Sequence, residues 1–523
     1  MINSLTNQKK NSILLDRIII KDPLEPYIAT DANKVLQTVQ QHYEESFKRR
    51  NSNFDFLNEE WKNEYLPSPR INSECYNELM DPITEDEFKQ TLRDLPNGKA
   101  SGISTINYEM LKNLGNKSKT ILRMFFSLCL KEGSCPISWK TSTIFPIPKA
   151  KDWECDLTNT RPIILLDTSR KLLTKIITNR LASICKKFNI LSGPNYAGLP
   201  GESTQEPIHL LNNICEEARE KNKELWICFQ DTAKVFDTVN LDMLQKSMER
   251  IKIPDKAIKF IINLFRNRAL KTITDYGLTH QIIAGDGLDQ GETISPLLWR
   301  IFYDPLINKI QNNPKFGYKM SAQWRENLNF PYTKKLEIRA AATAFMDDTT
   351  WIASSAENMQ QILDEAAIFY KANDSQINSK KSVLLAINAP KDDQDKVVLI
   401  GPNKEPLKKL SKEEFTRYLG IHIGERDHKK YVLDLLQREI LHITQALNNK
   451  KTTDKQTLYI LNRILIPRLE YKSQHCFFTE KECKKLTAKY MGKFKNSINI
   501  SKTCPNSIIL HKGIYSLKSM WEI

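Results

Sequence analysis

Two adjacent carboxylates, Asp347 and Asp348, lie in AATAFMDDTTWIASS (341–355), between two short runs suited to β-strands. Aspartate is common in turns because its side chain bonds the nearby backbone, so the pair alone could simply form a turn. A third carboxylate, Asp231, ends the hydrophobic run of WICFQDTAKVFD. Carboxylates buried near one another are costly unless cations neutralise them. Two Mg²⁺ ions about 4 Å apart would do so, and would also clamp the attacking and leaving oxygens of a phosphoryl transfer. Magnesium takes a few carboxylates together with phosphate oxygens and water, which suits a strand-end aspartate facing a hairpin pair. Mn²⁺ is an alternative ion. Asp237, six residues after Asp231, is expected to cap the following helix.

The elements that would position these acids follow from local pattern. ELWICFQD reads as a buried strand leading into Asp231, and LKTITDYGLTHQIIAGDG as a hairpin turning at Asp275, Tyr276 and Gly277. TSTIFPIPKA is extended and punctuated by Pro146 and Pro148. In SRKLLTKIITNRLASICKKF, Leu173, Ile176, Ile177, Arg180 and Ile184 keep a helical rhythm with lysines opposite. Upstream, Val35, Val39 and Tyr43 share a helical spacing. Thr84 and Glu87 form a capping box, Ile83 and Phe88 a hydrophobic staple, and the helix should stop before Pro96. Thr479 and Glu482 repeat the box ahead of a helix with Cys483, Leu486, Tyr490 and Phe494 on one face and lysines on the others.

At 523 residues, with 40% hydrophobic and 27% charged residues, the chain suits a large folded protein of two or three domains, not a disordered one. It has no apolar run of membrane-spanning length and no signal-peptide pattern, so an intracellular address, nucleus or cytoplasm, is expected, not secretion. The ten cysteines include no C-x-x-C pair, which suits reduced thiols. A zinc site drawn from His475, Cys476, Cys483 and Cys504 fits no finger spacing, so solitary packing cysteines are expected. Of the net charge of +15, most comes from residues 429–523, with 18 Lys+Arg against 7 Asp+Glu. Such a basic region suits a nucleic-acid backbone, and equally a solvated lysine-rich face.

QDTAKVFD, DQGETISPLLW and AFMDDTTWIAS, in that order, resemble the A, B and C motifs of reverse transcriptases. The resemblance is strongest to the RNA-directed DNA polymerases of non-LTR, LINE-like, jockey-type retrotransposons. It extends from about residue 90 to 430 through LPNGKASG, IPKAKD with NTRPIILLDTSRKLLTKIITNRL, AGLPGESTQEPI, NDSQINSKKS and RYLGIHIG. Two departures stand out. Ser101 and Thr105 replace the proline and second glycine of a usual P-G-x-x-G, and Met346 precedes the aspartate pair where alanine is more frequent.

The resemblance implies template-directed DNA synthesis by an α+β, right-hand polymerase with fingers, an antiparallel-sheet palm and a helical thumb. Asp231, Asp347 and Asp348 would be the catalytic metal ligands, with Asp231 and Asp347 bridging two Mg²⁺ ions and the Thr232 carbonyl completing one shell. Phe236 would be the aromatic gate that excludes a ribose 2′-hydroxyl. Lys149 and Arg161 would hold the triphosphate, Arg through a planar fork and Lys as a point charge. Gln290 and Gly291 would lie against the incoming sugar and templating base, and Ser295 and Pro296 would shape the template track. Lys381, beside Lys380, would protonate departing pyrophosphate. Arg417, Tyr418, Leu419 and Gly420 would form the primer grip.

The implied partners are an RNA template, a DNA primer and deoxynucleoside triphosphates, with no membrane and no oligomeric state set. The expected organisation is an N-terminal extension over 1–84, fingers and palm over 85–410, and a primer-grip hairpin with basic helical thumb over 411–523. The expected activity is nucleotidyl transfer by a retrotransposon RNA-directed DNA polymerase. The alternatives are a degenerate retroelement fragment that binds nucleic acid without polymerising, and a two-metal nuclease. The chain carries neither an endonuclease nor an RNase H region, which suggests a fragment of a longer reading frame.

Overall fold

The computed structural model describes residues 13–22, 25–149, 153–324, 334–393, 395–426, 428–448 and 450–522. Residues 150–152 of the IPKAKD block, the first twelve residues of the N-terminal extension and the final residue of the chain lie outside that set. The strands that position the site are β1 (Thr141–Pro148), β2 (Thr160–Leu165), β3 (Leu225–Gln230), β4 (Arg268–Thr274), β5 (Ala342–Phe345), β6 (Asp348–Ala353), β7 (Val383–Ile387), β8 (Phe415–Tyr418) and β9 (Ile421–Gly424). The helices used below are α1 (Ala32–Ser46), α2 (Glu85–Asp94), α3 (Thr168–Lys187), α4 (Gln205–Glu220), α5 (Leu241–Arg250), α6 (Ser295–Asn312), α7 (Ala356–Ala372), α8 (Lys429–Asn448), α9 (Ile466–Ser473) and α10 (Glu480–Ser497). The fold is mixed helix and sheet, and no described helix is long and apolar enough to cross a membrane.

The central sheet runs β5-β6-β3-β7, its neighbours antiparallel, with a short parallel strand at Lys408–Lys409 beyond β7. All six residues of β3, LWICFQ, are buried, because side chains alternate across a sheet covered on both faces. Trp226 and Cys228 join Trp351 in one core with α6 and α7, whereas Leu225, Ile227 and Phe229 face α4 and the β8–β9 hairpin. A second sheet places β1 between β2 and β4, with β1 and β2 antiparallel and β1 and β4 parallel. The hairpin expected at Asp275 and Tyr276 follows β4, closing on a Thr274–Gly277 pair.

Several local expectations hold. Asp31 caps α1, which buries Val35, Val39 and Tyr43. Leu173, Ile176 and Ile177 are buried on α3. The Thr479–Glu482 capping box is complete ahead of α10. At α2 only half of the expected box forms. Thr84 accepts from the Glu87 amide at 3.3 Å, but the Glu87 carboxylate turns away to Arg180, whose Nη2 lies 2.6 Å from it. A bidentate guanidinium outcompetes a single backbone donor for that carboxylate.

The departure at 101–105 has a conformational cost. Gly102 lies so close to the chain of Leu166 and Asp167 that a Cβ would sit 2.6 Å from backbone atoms. Thr105 takes φ +59°, a left-handed conformation suited to the glycine it replaces.

Candidate active site

Strands β5 and β6 pair Phe345 with Asp348, which leaves Met346 and Asp347 as a two-residue hairpin turn. Met346 has φ +58°, uncommon for a non-glycine residue. Its carbonyl accepts a 3.0 Å bond from the Trp299 indole on α6, so packing from a distant helix holds the turn. Next to it, β6 pairs with β3 through Thr349 and Gln230. One further step along that antiparallel register sets Asp348 level with Asp231. The three carboxylates therefore converge at one end of the sheet.

Their electrostatics agree with that placement. Asp348 is raised to about 6, by desolvation first, although it keeps access to solvent, and then by the charges of Asp347 and Asp231. Asp347, half-buried, is also raised by desolvation and then by Asp231, against an opposing effect of Arg161. Arg417 acts on Asp348 in the same opposing sense. Clustered oxygen donors whose charges raise the pKa values of Asp347 and Asp348 suit a hard divalent cation.

A loop after α7 completes the acidic end. Asn378 N donates to the Asp231 carbonyl at 2.8 Å, and Ala233 N to the Gln376 carbonyl at 2.9 Å. These two bonds make the Thr232–Ile377 bridge and leave the Thr232 carbonyl out of it. Asp231 N donates to the Ser382 hydroxyl at 3.0 Å. The adjacent Lys381 places Nζ 3.7 Å from the Asp231 carboxylate. Lys149 stands at the end of β1, with Nζ donating to the Thr158 carbonyl at 2.7 Å. Burial lowers its pKa, and the charges of Lys381 and Arg161 lower it further. Lys149, Arg161 on β2 and Lys381 thus form one cationic group beside the acids.

Gln290 and Gly291 lie on a loop docked against β2, where Ile164 N donates to the Gln290 carbonyl at 2.8 Å. Gly291 has φ +122°, and a Cβ there would lie 3.0 Å from the Ile164 carbonyl oxygen. Asp237 does not cap a helix. Asn240 caps α5 by accepting from Met243 N, supported by a 3.1 Å bond from its own amide to Asp286. Asp237 is instead buried, accepts from the Gln290 side-chain amide at 2.8 Å, and is raised to about 6 by desolvation. Phe236 is half-buried with its ring centroid 6.3 Å from that of Trp299. Ser295 is buried, its hydroxyl donating to the Asp289 carbonyl at 3.0 Å, so it shapes the loop from within. Pro296 packs beside Gly198.

Arg417, Tyr418, Leu419 and Gly420 span the β8–β9 hairpin, which closes on a Tyr418–Ile421 pair. Leu419 and Gly420, at φ +45° and +90°, form its turn. Tyr418 packs on Phe229 of β3 with centroids 5.5 Å apart, and the Leu419 carbonyl accepts from Tyr471 on α9 at 2.6 Å. The hairpin is thereby clamped between the central sheet and the C-terminal helices.

A family model described as reverse transcriptase (RNA-dependent DNA polymerase) matches residues 147–423, more than half of the chain and every site residue expected from the sequence. The chain belongs to the reverse transcriptase family. Among its relatives, the Transposon TX1 uncharacterized 149 kDa protein of Xenopus laevis is 22% identical over 361 residues, 69% of this chain and 26% of that protein. The Retrovirus-related Pol polyprotein from type-1 retrotransposable element R2 of Nasonia vitripennis is 23% identical over 407 residues, 77% and 36%. The RNA-directed DNA polymerase from mobile element jockey of Drosophila melanogaster is 27% identical over 241 residues, 46% and 26%. The resemblance to non-LTR, jockey-type reverse transcriptases is borne out, and the chain spans about a quarter to a third of these relatives' length. A solved apo telomerase from Candida Tropicalis, truncated from its C-terminal domain, aligns with a TM-score of 0.35 at 12% identity, covering 52% of this chain and 55% of that one.

Two buried networks in this reverse transcriptase chain carry no local sequence signal. Arg170 on α3 bonds Asp289 and Glu292, each at 2.9 Å, and Arg268 on β4 bonds Asp289 from the other side. All four are buried, and they hold the loop bearing Gln290 and Gly291. Beneath the aspartates, Gln230 donates to the Tyr370 hydroxyl at 2.5 Å and accepts from the Trp351 indole at 3.0 Å. Tyr370 and Tyr303 share a 2.5 Å bond, and Thr349 donates to Tyr303 at 3.1 Å. This network ties β3, β6, α6 and α7 together directly under the acidic turn.

Proposed function

We propose that the chain is an RNA-directed DNA polymerase that adds deoxynucleotides to a primer 3′-hydroxyl by two-metal phosphoryl transfer. The convergence of Asp231, Asp347 and Asp348 beside Lys149, Arg161 and Lys381 carries this reading. It puts oxygen donors for divalent cations next to cations suited to a triphosphate, as positioning and charge stabilisation require. Asp231, Asp347, Asp348 and the Thr232 carbonyl fit Mg²⁺ as donors, with Mn²⁺ an alternative. Two such ions would lower the pKa of the primer hydroxyl and neutralise charge on the leaving pyrophosphate.

The remaining residues act through binding and orientation. Lys149 and Arg161 take the triphosphate, and Phe236, braced by Trp299, bars a 2′-hydroxyl. Asp237 aims Gln290, and Gly291 lets the sugar and templating base approach the backbone. Ser295 and Pro296 set the edge of the template track. Lys381 holds a proton at Nζ for the departing pyrophosphate. Arg417, Tyr418, Leu419 and Gly420 seat the primer end.

In this reading the molecule is a right hand. The central sheet is the palm, the β1–β2 layer with α2 and α3 the fingers, and the helices after β9 the thumb. The boundaries are 1–84 for an N-terminal extension, 85–410 for fingers and palm, and 411–523 for grip and thumb. The lysines of α10 then track the backbone of an RNA–DNA duplex without reading its sequence. A fragment that binds without polymerising is not favoured, given relatives named as RNA-directed DNA polymerases.

The test is a labelled DNA primer on an RNA template with Mg²⁺ and deoxynucleotides. Extension by the wild type and its loss in Asp347→Asn supports the polymerase. Shortening of the primer indicates a nuclease, and binding with neither indicates a remnant.

A further inference from the structure

His428, His475 and Cys476 meet where the β8–β9 hairpin hands the chain to the C-terminal helices. His428 immediately precedes α8, its carbonyl accepting from Val432 N at 2.9 Å. His475 and Cys476 follow α9 in a turn closed by Cys476 N on the Ser473 carbonyl, also at 2.9 Å. Both imidazoles are 5% exposed, and their rings stack with centroids 4.7 Å apart and planes at 17°. The ligand atoms of the two histidines and the thiol all lie within 4.8 Å of one another.

We propose that these three side chains bind a zinc ion that pins the start of α8 to the end of α9. Two imidazole nitrogens and a thiolate form a borderline-soft donor set, which selects Zn²⁺ over the hard Mg²⁺ suited to the aspartates. Zinc bonds of about 2.0–2.3 Å set tetrahedral donors roughly 3.3–3.8 Å apart, so zinc would draw the three donor atoms together from within 4.8 Å. Zinc would give the buried His475 ring a strong partner. Neither ring nitrogen of His475 makes a hydrogen bond of ordinary geometry among the described residues, although the His422 main chain lies near enough to act on it. A buried polar atom left in that state is destabilising.

On binding, two Zn–N bonds and one Zn–S bond form, the Cys476 thiol proton goes to solvent, and water fills the fourth position. The site differs from the one drawn from sequence spacing. Cys483 is packed in the apolar core of α8, α9 and α10, and Cys504 lies outside the cluster. His428, 47 sequence positions earlier than His475 by their numbers, takes their place.

The experiment uses the full chain, stripped with chelator and titrated with Co²⁺ without Mg²⁺ or nucleic acid. One equivalent is expected to bind with tetrahedral visible bands and a thiolate-to-cobalt band in the near ultraviolet, both displaced by Zn²⁺ and distinct from six-coordinate Co²⁺ on the aspartates. With the aspartates saturated by Mg²⁺, Zn²⁺ should raise the wild-type Tm further, and that of Cys476→Ser less. Cys476→Ser should remove the thiolate band and weaken Co²⁺ binding at least ten-fold, and Cys504→Ser should leave both unchanged. A six-coordinate spectrum with no tetrahedral bands, a thiolate band that survives Cys476→Ser, or no Tm response to Zn²⁺ in the wild type overturns the site.

Discussion

The buried Asp237 carboxylate accepts a 2.8 Å hydrogen bond from the side-chain amide of Gln290, joining the loop after Asp231 to the loop that docks on β2. Desolvation raises its pKa to about 6, and the Gln290 bond opposes that shift. Because the folded-state value lies above the unfolded one, the stability linked to this group is fully present below about pH 4 and is lost as pH rises through about 6. Asp237→Asn keeps an oxygen toward Gln290 and removes the titration. Its stability should fall less between pH 4 and pH 8 than that of the wild type, a difference on the order of 2 kcal/mol. Equal falls in the two proteins would remove Asp237 from this role.

Asp348 carries the repulsion of Asp347 and Asp231. In chelator, Asp348→Asn should therefore have a higher Tm than the wild type while losing polymerase activity, a stability–activity trade-off at a charged site. Adding Mg²⁺ should raise the wild-type Tm and move that of the variant less. A variant less stable than the wild type in chelator would contradict mutual repulsion. Thermal unfolding with and without EDTA measures both.

Lys381 lies 3.7 Å from the Asp231 carboxylate and Lys380 points to no such partner among the described ion pairs. Lys381→Ala should lower kcat on the order of 10²-fold, as loss of a positioned acid does. Lys380→Ala should stay within a few-fold. Single-turnover incorporation rates across pH distinguish them, since only loss of the acid should flatten the alkaline limb.

At Gly420 a Cβ would lie 2.9 Å from the Tyr471 ring, at φ +90°. Gly420→Ala should push the hairpin from α9, raising KM for primer–template about ten-fold or more and leaving KM for the deoxynucleotide within two-fold. A selective loss of nucleotide affinity would place the hairpin elsewhere in the reaction.

Much of the site was legible because its signals are local. The apolar run of β3 ending at Asp231, the paired acids in a tight turn and the capping box at Thr479 each lie within a few residues. What could not be read depends on partners far along the chain. Glu87 leaves its own helix cap for Arg180, and Asn240, braced by Asp286, takes the cap assigned to Asp237. Gln230 finds Tyr370, and Arg170 finds Asp289, only once the sheets and helices have packed. Short-range periodicity carries no information about such pairs. Thr105 is a different case, because its left-handed backbone becomes interpretable only beside the close approach of Gly102 to Leu166 and Asp167.

The most direct test compares Asp231→Asn, Asp347→Asn and the double variant in single-nucleotide extension of a DNA primer on RNA. Carboxylates that serve one centre act as a unit, so each single change should cost about 10³-fold or more and the double change little beyond either. Multiplying losses, or an Asp231→Asn protein that extends at the wild-type rate, would mean that these side chains do not share the chemistry.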